Sequence, residues 1–113
     1  MALSNLSTQK PSGDPRGNLV AFTKCSNRMQ PLVAGASLEI VPANPNRLYL
    51  IVINFTEGDV FLFLDEPKAL LDQGIPLLGK GNHYEITEDN LFRGNIVAIC
   101  KDAARLSISE CSL

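Results

Sequence analysis

Histidine occurs once in the 113 residues, at His83, and cysteine three times, at Cys25, Cys100 and Cys111. A His-activated nucleophile of the hydrolase type is announced by a Gly-x-Ser-x-Gly elbow, which this sequence lacks. A zinc site needs several nitrogen and sulfur ligands at short spacings, and the cysteines make no Cys-x-x-Cys pair near His83. Cys100 falls inside the apolar run 96–100, where a reduced cysteine behaves as a small hydrophobe. An odd number of cysteines cannot all pair within one chain, and whether Cys25 and Cys111 pair with each other stays open. Gly79-Lys80-Gly81 lacks the spacing of a phosphate loop and the helix that would follow one, so it reads as a β-turn. Asp59, Asp65, Glu66, Asp72 and Glu85 spell no EF-hand loop, and nothing in the sequence aligns two of them across one cleft. Asp59, Asp65 and Glu85 read as solvated turn residues, and His83 as a loop or strand-edge residue. The expectation is therefore a protein that is not an enzyme, with no cofactor and no metal site.

Composition narrows the class further. Hydrophobic residues make up 45% of the chain and charged residues 19%, with a formal net charge of −2. A chain of this length forms one domain and buries about two-thirds of its unfolded surface, enough for a single core. Its basic residues are scattered singly, and Phe61 and Phe63 alternate with Leu62 and Leu64, so no wet aromatic face is offered to bases. Nucleic acid is not an expected partner. The first fifteen residues hold no apolar signal-peptide core, and the runs 48–53 and 60–64 fall well short of the roughly 20 residues of a membrane helix. No membrane association is expected. Sequons stand at Asn5 and Asn54, and matter only in a secretory compartment.

The elements that would position any site are short. Residues 1–17 are rich in Ser, Asn, Gly and Pro, with Leu3 and Leu6 as sizeable apolar residues, and predict a flexible N-terminal arm. Residues 18–113 form the folded domain. Alternation predicts a first strand over residues 19–24, an apolar run at Leu32 and Val33, and a half-buried strand at 38–41. Pro42-Ala43-Asn44-Pro45-Asn46 is a turn. Residues 48–53 and 60–64 are apolar on both faces and predict two mid-sheet strands, joined as a hairpin through Thr56-Glu57-Gly58-Asp59. One helical turn is expected at 67–71, then an apolar patch at 75–78 and short strands at 83–87, 96–100 and 105–109. Seven or eight short strands roughly ten residues apart, without a long amphipathic helix, predict an all-β fold: a small antiparallel β-sandwich, jelly-roll-like, with a flexible arm. Its expected core is Leu48, Leu50, Val52, Val60, Leu62, Ile96, Ala98, Leu106 and Ile108, with Ile51, Ile53, Phe61 and Phe63 buried against another layer or subunit.

Residues 42–113 also resemble, as one phrase, a family of small virion proteins of tailed bacteriophages and prophages. The resemblance is carried by Asn44-Pro45-Asn46-Arg47-Leu48-Tyr49-Leu50, then Val52-Ile53-Asn54. It continues in Gly74-Ile75-Pro76-Leu77-Leu78-Gly79-Lys80-Gly81 and Tyr84-Glu85-Ile86. It ends in Gly94-Asn95-Ile96-Val97-Ala98-Ile99-Cys100 and Leu106-Ser107-Ile108-Ser109-Glu110. It covers about two-thirds of the chain and brings no catalytic residues. It implies a capsid cement or head-decoration protein that binds the outer surface of the head shell and stabilises it. The partners implied are the major capsid protein or another virion protein, and further copies of this chain. Localisation would be the capsid surface of the virion, and the host cytoplasm during assembly. Shell lattices have three-fold junctions, so a closed homotrimer is expected. On the arm, Leu3 and Leu6 would be apolar anchors to the partner, with Lys10 and Arg16 at a polar rim. The alternatives are a host- or carbohydrate-binding module, a fibre-base protein of the virion, or a non-viral β-sandwich adaptor.

Overall fold

The computed structural model describes residues 21–113; the predicted arm, with Leu3, Leu6, Lys10 and Arg16, lies outside the described residues. Eight strands follow one another: β1 (Lys24–Leu32), β2 (Leu38–Val41), β3 (Arg47–Asn54), β4 (Val60–Leu64), β5 (Ile75–Leu77), β6 (His83–Ile86), β7 (Ile96–Cys100) and β8 (Ala104–Ser112). A 3-10 turn, Glu88–Asn90, precedes β7. The strands make two four-stranded sheets, ordered β1-β8-β3-β6 and β2-β7-β4-β5. The antiparallel pairs nest: β1 with β8, β2 with β7, β3 with β6, β4 with β5. That nesting is one long hairpin rolled over on itself, and it is the strand order of a jelly roll. The all-β, jelly-roll-like sandwich expected from the sequence is the observed fold.

Period-two alternation turns one row of each strand inward. Leu50, Val52, Ile86, Leu106 and Ile108 from the first sheet meet Ile40, Val60, Leu62, Leu77, Ile96 and Ala98 from the second, all essentially sealed from solvent. Among the predicted core residues, Leu48 departs from expectation and is half-buried. The register of β3 against β8 shifts between Arg47 and Tyr49. Such a bulge re-aims the side chains around it, and here it turns Arg47 inward in place of Leu48.

Three other expectations need correction. Strands β3 and β4 do not form a hairpin; they lie in different sheets, and residues 56–59 are a corner between the layers. Each two-faced strand is central in its own sheet, β3 between β8 and β6, β4 between β7 and β5. The first strand begins at Lys24 and runs to Leu32, so the apolar run at residues 32–33 is its end. Residues 67–71 are not helical. Asp65, Asp72 and Gly74 have φ of 61°, 62° and 81°, which breaks helical continuity. This segment instead lies over the outer face of the second sheet. There Ala69, Val97 and Ile99 form a small buried cluster with half-buried Phe61 and Phe63. The backbone N–H of Ala69 donates to Ser37 Oγ at 2.8 Å, tying the strap down. Ile51 and Ile53 are half-buried as well, on the outer face of the first sheet.

Candidate functional site

A fully buried polar side chain sits at each end of β3: Arg47 at its start and Asn54 at its finish. A buried guanidinium is tolerated only when paired and saturated with acceptors. Arg47 Nε donates to Glu110 Oε2 at 2.7 Å. Its Nη1 donates to the carbonyls of Phe92 (2.9 Å) and Gly94 (3.0 Å), and its Nη2 to that of Pro42 (2.9 Å). Asn44 Nδ2 adds a bond to the same Glu110 oxygen at 3.3 Å. One side chain thus fixes the 42–46 turn, the 92–94 turn and the end of β8.

Asn54 does the same at the other pole. Its Nδ2 donates to the carbonyls of Gly58 (2.8 Å) and Leu77 (3.0 Å). Its Oδ1 accepts from the Thr56 backbone at 3.0 Å and from the Thr56 hydroxyl at 2.5 Å. These bonds make the corner that sends the chain into the second sheet. The sequon Asn54-Phe55-Thr56 is therefore an internal bracket whose amide is engaged on both atoms.

The residues singled out for chemistry are scattered by the fold. His83 is exposed on β6, opposite Ile53. In the Gly79-Lys80-Gly81 turn, the N–H groups of Lys80 and Gly81 donate to the carbonyls of Thr56 and Asn54, both at 2.7 Å, so they point into the protein. A Cβ on Gly79 would stand 2.1 Å from the Glu57 carbonyl oxygen, which explains glycine there. Lys80 and Glu57 form an exposed ion pair at 3.7 Å. Asp59 lies at the corner, where its Oδ1 accepts weakly from Gly79 N at 3.4 Å. Asp65 takes a left-handed turn after β4. Glu85, on β6, accepts from the Tyr49 hydroxyl at 2.6 Å. That hydrogen bond, with some desolvation and the charge of Glu85, raises the Tyr49 pKa. Among the described residues no three His, Cys, Asp or Glu side chains gather as metal ligands.

The cysteines resolve the question their spacing left open. Cys25 and Cys111 oppose each other directly across β1 and β8 and form a disulfide. Nothing in the spacing signalled this; it follows from the outermost nested pair, which brings the first and last strands together. Cys100 is a buried free thiol whose pKa is pushed up, first by burial and then by the charge of Asp102. Beside the disulfide lies a cavity of about 230 Å³ lined by Lys24, Cys25, Ser26, Asn44, Glu110 and Ser112.

The outer face of the first sheet carries an apolar band. Tyr49, Ile51 and Ile53 run up β3, and the Phe22 ring lies against Tyr49 with centroids 5.9 Å apart. Phe22, Met29 and Phe55 are each about half exposed. Between these residues stand the uncharged Asn27, Ser107 and Ser109, with Ser109 Oγ donating to Asn27 Oδ1 at 2.6 Å. A band of this make-up, apolar with neutral hydrogen-bonding groups, has the chemistry of a protein-contact surface. Ile51 and Ile53, expected to be buried against another layer or subunit, instead form the middle of this band. Their alternation with Leu50 and Val52 was the signal, once it was known that one sheet face has no covering layer. Comparison of the chain with protein-family models, with curated proteins and with solved structures finds no match.

Proposed function

We propose that this chain is a non-catalytic virion module of the capsid cement or decoration type, which binds the outer surface of a bacteriophage head shell. The observation that carries the reading is the apolar band on the first sheet, backed by a rigid two-sheet body. Rigidity comes from the brackets at Arg47 and Asn54 and from the Cys25–Cys111 bond. A decoration protein works by presenting such a surface without reorganising, so that little ordering entropy opposes attachment. The jelly-roll order supports no single function, since capsid domains, lectins and cupins all use it.

On this reading copies associate into a homotrimer, and multivalent attachment to the shell raises avidity without a large interface per copy. Residues 1–17 are proposed to add contacts, with Leu3 and Leu6 as anchors and Lys10 and Arg16 around them. The test is co-sedimentation of the purified chain with undecorated shells, together with sedimentation equilibrium of the chain alone. Ile51→Glu with Ile53→Glu would place two charges in the band while leaving the inward row intact. The paired variant is expected to stay folded and to lose shell binding. Equal binding by the variant and the parent chain would refute a contact role for this face.

A further inference from the structure

A sandwich exposes four edge strands, and each unpaired edge is a template for another chain unless something blunts it. Three of the four are blunted here. On β2, the register slips between Glu39 and Val41, and the Arg28 guanidinium donates to the Ile40 carbonyl. Strand β5 has only three residues, and Pro76 in the middle, which has no N–H, is the one whose backbone faces the edge. On β6, the Asn90 side chain mimics a neighbouring strand: its Nδ2 donates to the Glu85 carbonyl at 3.0 Å and its Oδ1 accepts from the Thr87 N–H at 2.7 Å.

Strand β1 differs. It is nine residues long, and residues 24–29 are exposed. Hydrogen-bond parity shows which of its groups face outward. Leu113 N donates to Asn46 O and Phe55 N donates to Arg105 O, so odd-numbered residues of β8 bond toward β3. Even-numbered ones therefore bond toward β1, where Ser112 O accepts from Thr23 N. In the β1–β8 register even residues oppose even residues, so Lys24, Ser26, Arg28 and Gln30 complete that ladder. The N–H and C=O groups of Cys25, Asn27 and Met29 point away from the sheet. Among the described residues none bonds to them. Pro31 falls on the same outward row, where its missing N–H costs the ladder nothing, and its carbonyl accepts from Gln30 Nε2 at 3.0 Å. The open template is therefore residues 25–29.

Charge narrows the occupant. Between residues 21 and 38 the chain has Lys24 and Arg28 and no Asp or Glu. A second copy of β1 laid antiparallel would set basic strand against basic strand, which cross-strand pairing penalises. We propose that the outer edge of β1 receives an extended, acidic segment of a different protein as an added strand. The edge shares Asn27 and Met29 with the apolar band but offers their backbone groups rather than their side chains, and its occupant need not be a shell protein.

The test uses the full-length chain and a capped ten-residue peptide alternating Glu with Val or Thr. A second peptide carries Lys in place of Glu. Amide hydrogen exchange is followed by NMR. The acidic peptide at millimolar concentration is expected to slow exchange at Cys25, Asn27 and Met29 by about tenfold or more while leaving Ser26 and Arg28 unchanged, since their N–H groups are already in the ladder. The Lys peptide is expected to bind at least about tenfold more weakly. Asn27→Pro removes one outward N–H without touching the β8 ladder and should abolish the effect at Cys25 and Met29. Lys24→Glu, whose circular dichroism and melting should match the parent, should weaken the acidic peptide several-fold. Unchanged exchange at all three amides would overturn the proposal. So would equal binding of the two peptides. Slow exchange at these amides before any peptide is added would show that residues 1–20 or a second copy already cover the edge, and would overturn it too.

Discussion

Replacing Arg47 by leucine tests the bracket at the start of β3. The substitution keeps much of the side chain's volume and removes every donor. The carbonyls of Phe92, Gly94 and Pro42 each lose the guanidinium donor, and Glu110 keeps the long bond from Asn44. A buried acceptor left without a donor costs about 1–3 kcal/mol. Those three residues sit in turns at the surface or half-buried, so water can reach some of the carbonyls and the low end applies. Glu110 keeps a 19% exposed side chain, which also lets water take up part of its charge. Breaking a buried pair from one side typically costs about 3–5 kcal/mol, and a value near the lower bound is expected here. Glu110→Gln keeps an oxygen acceptor and removes only the charge, so it should cost about 1–2 kcal/mol. Urea unfolding of the two single variants and the double variant gives the stabilities and the coupling between the residues. A loss below about 1 kcal/mol for Arg47→Leu, or equal losses for the two single variants, would refute the bracket as the element holding these turns.

Further predictions can be checked with the purified chain. Thiol titration should count none in the native protein, one after unfolding without reductant and three after reduction, because Cys100 is buried and Cys25 is bonded to Cys111. Replacing both bonded cysteines by serine removes a loop closure spanning 86 residues and should lower stability by about 4–5 kcal/mol in the chain-entropy model, read by urea unfolding. Gly79→Ala forces a methyl against the Glu57 and Thr56 carbonyl oxygens, and should cost about 1–3 kcal/mol in the same assay. Tyr49 should titrate above the ordinary phenol pKa of about 10 in an ultraviolet titration, and Glu85→Ala should bring it back. Its folded pKa is raised, so its contribution is fully present below about pH 10 and is lost as pH rises through the raised pKa.

Much of the sandwich was legible in the sequence because alternation is a local property. The strand at 38–41 stands where period-two alternation puts it, and those at 83–86 and 96–100 where short segments between turns put them. The partner of each strand was not legible. The runs at 48–53 and 60–64, a short turn apart, satisfied every local criterion for a hairpin, and only Asn54's bonds to Gly58 and Leu77 show why the chain turns out of the sheet instead. Leu48 was misplaced because a bulge is a non-local choice, driven by a buried site for Arg47. Several residues of the turn-and-strand phrase read in the sequence, Arg47, Asn54, Gly79, Gly94 and Glu110, stand at these brackets and their contacts. The phrase they form records how the corners are built. Contact residues on outward rows carry no such constraint: the apolar band left only the alternation of Ile51 and Ile53 with Leu50 and Val52, and the open edge left no signature.

The disulfide has a mechanical meaning. It joins the first strand to the last across a sequence separation of 86, so nearly the whole sandwich lies inside one covalent ring. Tension applied through residues outside that ring passes across the sulfur–sulfur bond and bypasses the hydrogen-bonded ladders. Under load the oxidised domain should behave as an inextensible link. Once reduced, the same domain would release roughly 30 nm of slack, at about 3.5 Å for each freed residue. A nick in any loop between the cysteines would likewise leave the two pieces bound together. Under strain, a protein built this way fails at its attachments before its body gives.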